Sequence, residues 1–259
     1  MNWPLHLLFA SWLVLHQPSL GYGINIYPNL NFDTINELAK NDLVIDLPKF
    51  KYLKEHLCLS CEQGKSKTAP HKPKPITNSK QRLHLLHMDL CEPMRVKNIN
   101  GKRYVLVIMD DYSRYTWVHF FRSKNEAPEV IKTFLKKIQV LLQAPVIIIR
   151  TDNGTEFTNH VLKAYFDIVG ISHQTSLVRT PQQNGVIERR NRTLVDAART
   201  MLIFYCASLF LWAKAIATAC YTQNCSLIHK RFEKTPYELI NGRKPNISFL
   251  HVFGALCYP

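Results

Sequence analysis

The sequence predicts an α/β domain built on a mixed sheet of about five strands, with helices on both faces. Three apolar runs of strand length come first, between residues 83 and 121, and helical and strand-like segments then alternate as far as residue 202. The composition agrees. Hydrophobic residues make up 46% of the chain and can supply a core, while 20% charged residues are too few for a disordered one. A length of 259 residues leaves room for one such domain plus flanking segments.

Residues 83–90 alternate as a strand does, 104–109 form a continuous apolar run suited to a central strand, and 115–121 give a third. Within 126–142, Val130, Ile131, Phe134, Ile138 and Leu141 recur at the spacing of one helical face. Residues 146–149 read as a short buried strand. A second helix over 156–169 is closed by Gly170, because glycine readily takes the left-handed conformation of a C-cap. Residues 171–176 suit a fifth strand, and 184–202 and 209–227 further helices. Upstream, Ile35, Leu38 and Leu43 mark a short helical pattern that ends near Pro48. The order of elements matches the ribonuclease H-like fold.

A formal charge of +14 calls for a polyanionic partner, since Lys and Arg that neutralise phosphates gain affinity by releasing counterions. The charge is unevenly spread. Residues 1–46 hold one Lys against four acids, and residues 47–82 hold nine Lys or Arg against two Glu. Residues 62–82 are rich in Lys, Pro and small polar residues and read as a basic linker. Seven cysteines, of which only Cys58 and Cys61 are closely spaced, do not make a secreted disulfide framework. The uncharged opening, apolar from Leu5 to Leu15, lacks the basic start of a signal peptide and is short for a membrane span. It reads as a stray leader, and the expected location is nucleus or cytoplasm with no membrane partner.

Asp89 ends the first expected strand, with Met88 and Leu90 on the opposite face. An acid on a central strand is costly unless it is paired or bound to metal. Asp152 follows the strand at 146–149, where α/β sheets place ligands, and Gly154 lets the chain turn there. Taken singly it also fits an ordinary Asx turn. Glu188 stands beside the apolar stripe Ile187, Leu194, Ala198 and Met201, where a solvated helix of mixed charge would also carry a Glu. Carboxylates are the hard ligands of magnesium and manganese. Two such ions roughly 3.5 to 4 Å apart can activate one oxygen of a phosphodiester exchange and stabilise the other. Asp110 and Asp111 end the second strand, far from Asp89 if the two strands form a hairpin, and read as a structural turn. Glu156 reads as a first-turn acid at a helix N-terminus.

The spacing of 35 residues between Asp152 and Glu188, together with four motifs, resembles the integrase of copia-type LTR retrotransposons. The motifs are Leu86-His87-Met88-Asp89-Leu90, Met109-Asp110-Asp111-Tyr112-Ser113-Arg114, Arg150-Thr151-Asp152-Asn153-Gly154-Thr155-Glu156-Phe157 and Arg179-Thr180-Pro181-Gln182-Gln183-Asn184-Gly185-Val186-Ile187-Glu188-Arg189. The resemblance covers roughly residues 30–259 and implies a fragment of a Pol polyprotein. It implies Asp89, Asp152 and Glu188 as catalytic ligands of Mg2+ or Mn2+, acting in two-metal cleavage of element ends and their transfer into target DNA. Double-stranded DNA is the implied partner, and a homo-multimer the implied form on DNA. Arg179, Gln182, Gln183, Asn184, Arg189, Arg190 and Arg192 are the implied DNA contacts.

The family's zinc module carries two His and two Cys. Cys58 and Cys61 supply the thiolates, but Ile24 and Asn29 stand at the histidine positions. Zinc binding is therefore expected to be weak or lost. The expected organisation is a non-native leader over 1–23, a degenerate zinc-module remnant over 24–61, the basic linker over 62–82, the catalytic core over 83–203 and a truncated helical extension over 204–259. Two alternatives remain open: a catalytically silent remnant that only binds nucleic acid, and a ribonuclease H-like nuclease. The run Pro181-Gln182-Gln183-Asn184-Gly185 favours the integrase over that nuclease.

Overall fold

A computed structural model describes residues 32–47, 63, 79–91, 93–176 and 185–248. The chain divides into two compact units, 67–195 with 239–241, and 1–66 with 196–238 and 242–259. The first holds a five-stranded sheet. Its strands are β1 (Leu85–Cys91), β2 (Tyr104–Asp110), β3 (Thr116–Phe121), β4 (Ile148–Thr151) and β5 (Ser172–Thr175), in the spatial order β3-β2-β1-β4-β5. β1, β2 and β3 pair antiparallel through tight connections, while β4 pairs parallel to β1 and β5 parallel to β4. The sheet is mixed, as the order of elements predicts, and its fold is ribonuclease H-like.

Chemistry at each boundary explains where elements start and stop. Ser123 and Glu126 form a capping box around the short 3-10 turn Lys124–Glu126. That turn leads into the helix Ala127–Leu142, which ends on Gln143 in the left-handed conformation. Ile131, Phe134, Leu135 and Ile138 from this helix bury against Leu86 and Met88 of β1 and Leu106 and Ile108 of β2. Each such side chain contributes roughly 1.5–3 kcal/mol on burial. Arg82 fastens the strand's approach, donating to the carbonyls of Leu142 and Ile240.

Some boundaries differ from the sequence expectation. The helix expected from residue 156 begins only at His160 and runs to Val169. Asn159 caps it by accepting from the Leu162 N–H, and residues 154–158 form a turn closed on the Gly154 carbonyl. Glu156 therefore lies outside the helix rather than in its first turn, and is 8% exposed. Gly170 closes the helix at φ 77° as expected. β4 lies two residues later than its apolar run because its register is set by pairing, Leu85 with Ile148 and Thr151 with Thr175. Asp152 thus follows the strand directly.

The helix carrying Glu188 spans Gly185–Phe204. In the second unit, the helix Phe32–Lys40 packs Ile35 and Leu38 into a small core with Leu43, Val44, Leu47 and Ile247. The segment expected as helix over 209–227 opens with a 3-10 turn, Leu209–Leu211, and continues as Trp212–Ser226. A short helix, Pro236–Asn241, was not anticipated, although Thr235 caps it through the Glu238 N–H and Gly242 closes it. No helix among the described residues is long and apolar enough to cross a membrane.

Candidate active site

Asp89 lies one turn of pleat beyond His87 on the same face of β1, and the apolar Met88 between them is sealed in the core on the other face. Asp152 follows β4, the neighbouring parallel strand, and its Oδ1 accepts from the Gly154 N–H at 3.1 Å. Glu188 projects from the first turn of the Gly185–Phe204 helix and is exposed. That helix is joined to the sheet by Asn191, whose Nδ2 donates to Asp89 Oδ2.

Asp89 feels the charges of the other two acids. Burial raises Asp89 to about 6, and the negative charges of Asp152 and Glu188 add to the rise, against hydrogen bonds from Leu90 and Asn191 that lower it. Asp152 is also raised, first by burial and then by Glu156, with the Gly154 N–H and Lys124 opposing. Cys91 is pushed up to about 12 by burial and by Asp89. These are carboxylates gathered with too little positive charge around them.

Among the described residues, no three His, Cys, Asp or Glu side chains stand close enough to hold a metal ion as placed. The chemistry of the donors still fits a hard divalent cation. All three offer oxygen ligands, and like-charge crowding that raises Asp89 is what a bound cation relieves.

The region around the acids is supported by further groups, of which Glu156 was legible in the sequence and the bonds of Thr151 and Asn191 were not. Glu156 lies over Gly154, where an added Cβ would stand 2.8 Å from its carboxyl carbon, and Glu156 Oε1 is 3.7 Å from Lys124 Nζ. Thr151 Oγ1 and His173 Nε2 are 3.0 Å apart, and burial lowers the pKa of His173. Asn191 is 8% exposed, and its Oδ1 is buried without a hydrogen-bond partner.

The expected DNA contacts divide into three groups. Arg189 and Arg192 are exposed on the helix carrying Glu188. Arg190 differs from them: it is 9% exposed, and its Nη2 donates to the Arg114 carbonyl at 2.9 Å. Helical phase turns it toward the sheet, which a run of three cations in sequence conceals. Arg179, Gln182, Gln183 and Asn184 lie outside the described residues, as do Cys58 and Cys61.

Asp110 and Asp111 occupy the β2–β3 turn, and pairing of Leu86 with Asp110 puts them at the opposite end of β1 from Asp89, as expected. They are buried rather than merely at a turn. Asp110 accepts from Leu83 and Ser113, and Asp111 from Ser79. Asp111 also meets His87 and Arg114. Burial alone would raise Asp111. The hydrogen bonds from His87 and Ser79 and the charge of Arg114 outweigh it and hold the carboxyl well below the usual range.

Known proteins share both the sequence and the fold. Residues 79–181 match the integrase core domain family. The chain is 31% identical over 204 residues to the retrovirus-related Pol polyprotein of transposon TNT 1-94 from Nicotiana tabacum, an alignment covering 78% of this chain and 15% of that one. It is 32% identical over 226 residues to the Pol polyprotein of transposon RE1 from Arabidopsis thaliana, covering 87% and 15% respectively. The chain thus spans about 15% of the length of these curated relatives. Among solved structures, the intasome of simian T-cell lymphotropic virus in complex with PP2A regulatory subunit B56 gamma aligns with a TM-score of 0.53 and 20% identity. That match covers 73% of this chain and 65% of that one. The match to the integrase core domain family spans a region that includes Asp89 and Asp152, and the chain is similar over most of its length to retrovirus-related Pol polyproteins.

Proposed function

We propose that this chain is the catalytic core of a retrotransposon integrase, which cleaves phosphodiester bonds at the ends of element DNA and joins those ends to target DNA. One observation carries it. Asp89, Asp152 and Glu188 come from β1, the end of β4 and a later helix, yet the charges of Asp152 and Glu188 both act on the half-buried Asp89 carboxyl. A divalent cation bound among them would offset their repulsion.

Magnesium or manganese held by these acids would supply the charge that activates the attacking oxygen and stabilises the leaving one. The chain's own residues do the rest. Asn191 fixes the rotamer of Asp89, and the Gly154 N–H fixes that of Asp152. Glu188, exposed at the start of its helix, approaches from the side open to DNA. Arg189 and Arg192 lie on the same helix and are suited to the phosphates of double-stranded DNA. A multimer on DNA would let two element ends be held together.

The test is a joining reaction with Mn2+, a short duplex carrying element ends, and a target plasmid. The parent chain should join, and Asp152→Asn should not. Equal background from both sinks the proposal. Glu188→Gln should also abolish joining with little change in stability, because the side chain is exposed; unfolding of that variant would contradict a purely catalytic role.

A further inference from the structure

We propose that Arg190 is a positioning residue that locks the Glu188 helix onto the sheet through the β2–β3 turn, and that it does not contact DNA. The proposal rests on the integrase function proposed above and assigns a role within the same site. The Arg190 guanidinium is buried and donates to the carbonyl of Arg114. Arg114 is held in the left-handed conformation, φ 62°, with its own N–H on the Asp110 carbonyl. Its carbonyl also accepts from Thr116 Oγ1, so the acceptor offered to Arg190 is fixed in direction.

The turn is in turn anchored. The Arg114 guanidinium lies 3.3 Å from Asp111 Oδ1, and the same oxygen is 3.2 Å from His87 Nε2. His87 stands two residues before Asp89 on the same face of β1. Asp111 Oδ2 accepts both the N–H and the hydroxyl of Ser79, tying in the segment that enters the core. A connected path of polar groups, buried except for the half-buried Arg114 side chain, therefore runs from Arg190, two residues after Glu188, to His87, two residues before Asp89. Asn191 supplies the second point of attachment at Asp89 itself. With two successive side chains bound to different parts of the sheet, the helix can neither slide along nor roll about its axis, and the distance from Glu188 to Asp89 is set. A charged donor suits this use, because its hydrogen bond to a carbonyl is stronger than a neutral one.

The full chain is compared with Arg190→Met and Arg190→Lys. A positioning role predicts that Arg190→Met lowers kcat for strand transfer on the order of tenfold to a hundredfold. KM for DNA and the salt dependence of DNA binding should not change. Amide hydrogen exchange across residues 185–191 should quicken, Mn2+ titrated alone should bind several-fold more weakly, and Arg190→Lys should recover part of each loss. A DNA contact predicts the reverse: KM rises, the salt slope falls by about one phosphate, and kcat and exchange stay at parental values. That outcome overturns the proposal. If the parent fails to join DNA, the integrase function falls on its own. Exchange and Mn2+ binding still decide the role of Arg190, and parental values in Arg190→Met would refute it. Should Arg190→Met not fold, the same readouts on Arg190→Lys against the parent decide the question.

Discussion

Replacing Asp89 by Asn should make the metal-free protein more stable while removing its activity. In the folded chain Asp89 titrates at about 6, against 3.8 for the free group, because burial and the charges of Asp152 and Glu188 disfavour its ionised form. Each pKa unit corresponds to 1.36 kcal/mol, so at pH 7.5 the ionised side chain costs about 3 kcal/mol of folding stability. Asparagine matches aspartate in shape and keeps an oxygen to accept from Asn191. The sign follows from the direction of the shift. Between the two pKa values the folded state binds the extra proton, so this group's penalty is full above pH 6 and fades as pH falls toward 3.8. Urea denaturation in EDTA should show Asp89→Asn more stable than the parent by about 1–3 kcal/mol at pH 7.5, with the gap closing as the pH falls below 5. Saturating Mg2+ should narrow the gap at pH 7.5 by stabilising only the parent. An Asp89→Asn variant as stable as the parent, or less so, in EDTA at pH 7.5 would refute the claim that burial and the neighbouring charges disfavour the ionised form of Asp89.

Asp111→Ala should destabilise the chain by about 3–5 kcal/mol in the same assay, since it strips a buried carboxylate from His87, Arg114 and Ser79 at once; a loss under about 1 kcal/mol would show that the cluster adds nothing. Gly154→Ala should reduce joining activity, because the new Cβ would stand 2.8 Å from the Glu156 carboxyl carbon and must displace that side chain or the Asp152 turn. Full activity of this variant would mean that the turn adapts freely. Metal analysis of the purified chain should find well under one zinc per molecule, as two thiolates without the paired histidines make a poor site; one tightly held zinc would contradict this.

By itself the sequence determined the order of the elements, the strand-end setting of Asp89 and Asp152, the cap at Gly170 and the family motifs that single out Glu188. These depend on local periodicity and on turn residues, which act within a few positions of themselves. The start of the helix at His160 rather than at residue 156 was less legible, because Asn159 and the Gly154 turn compete with an apolar pattern that continues through both. Only the tertiary structure decided which neighbours in a polar run face the fold. Arg189 and Arg192 remain exposed, whereas Arg190 meets the Arg114 carbonyl 76 positions away and Asn191 meets Asp89 across 102. Helix phase limits which side chains share a face, but the face that meets the sheet is chosen by packing of segments remote in sequence. For the same reason Asp89 looked like a single costly acid in the sequence. Its raised pKa belongs to the folded state, because the packing that buries it and the charges that add to the rise arrive on other elements.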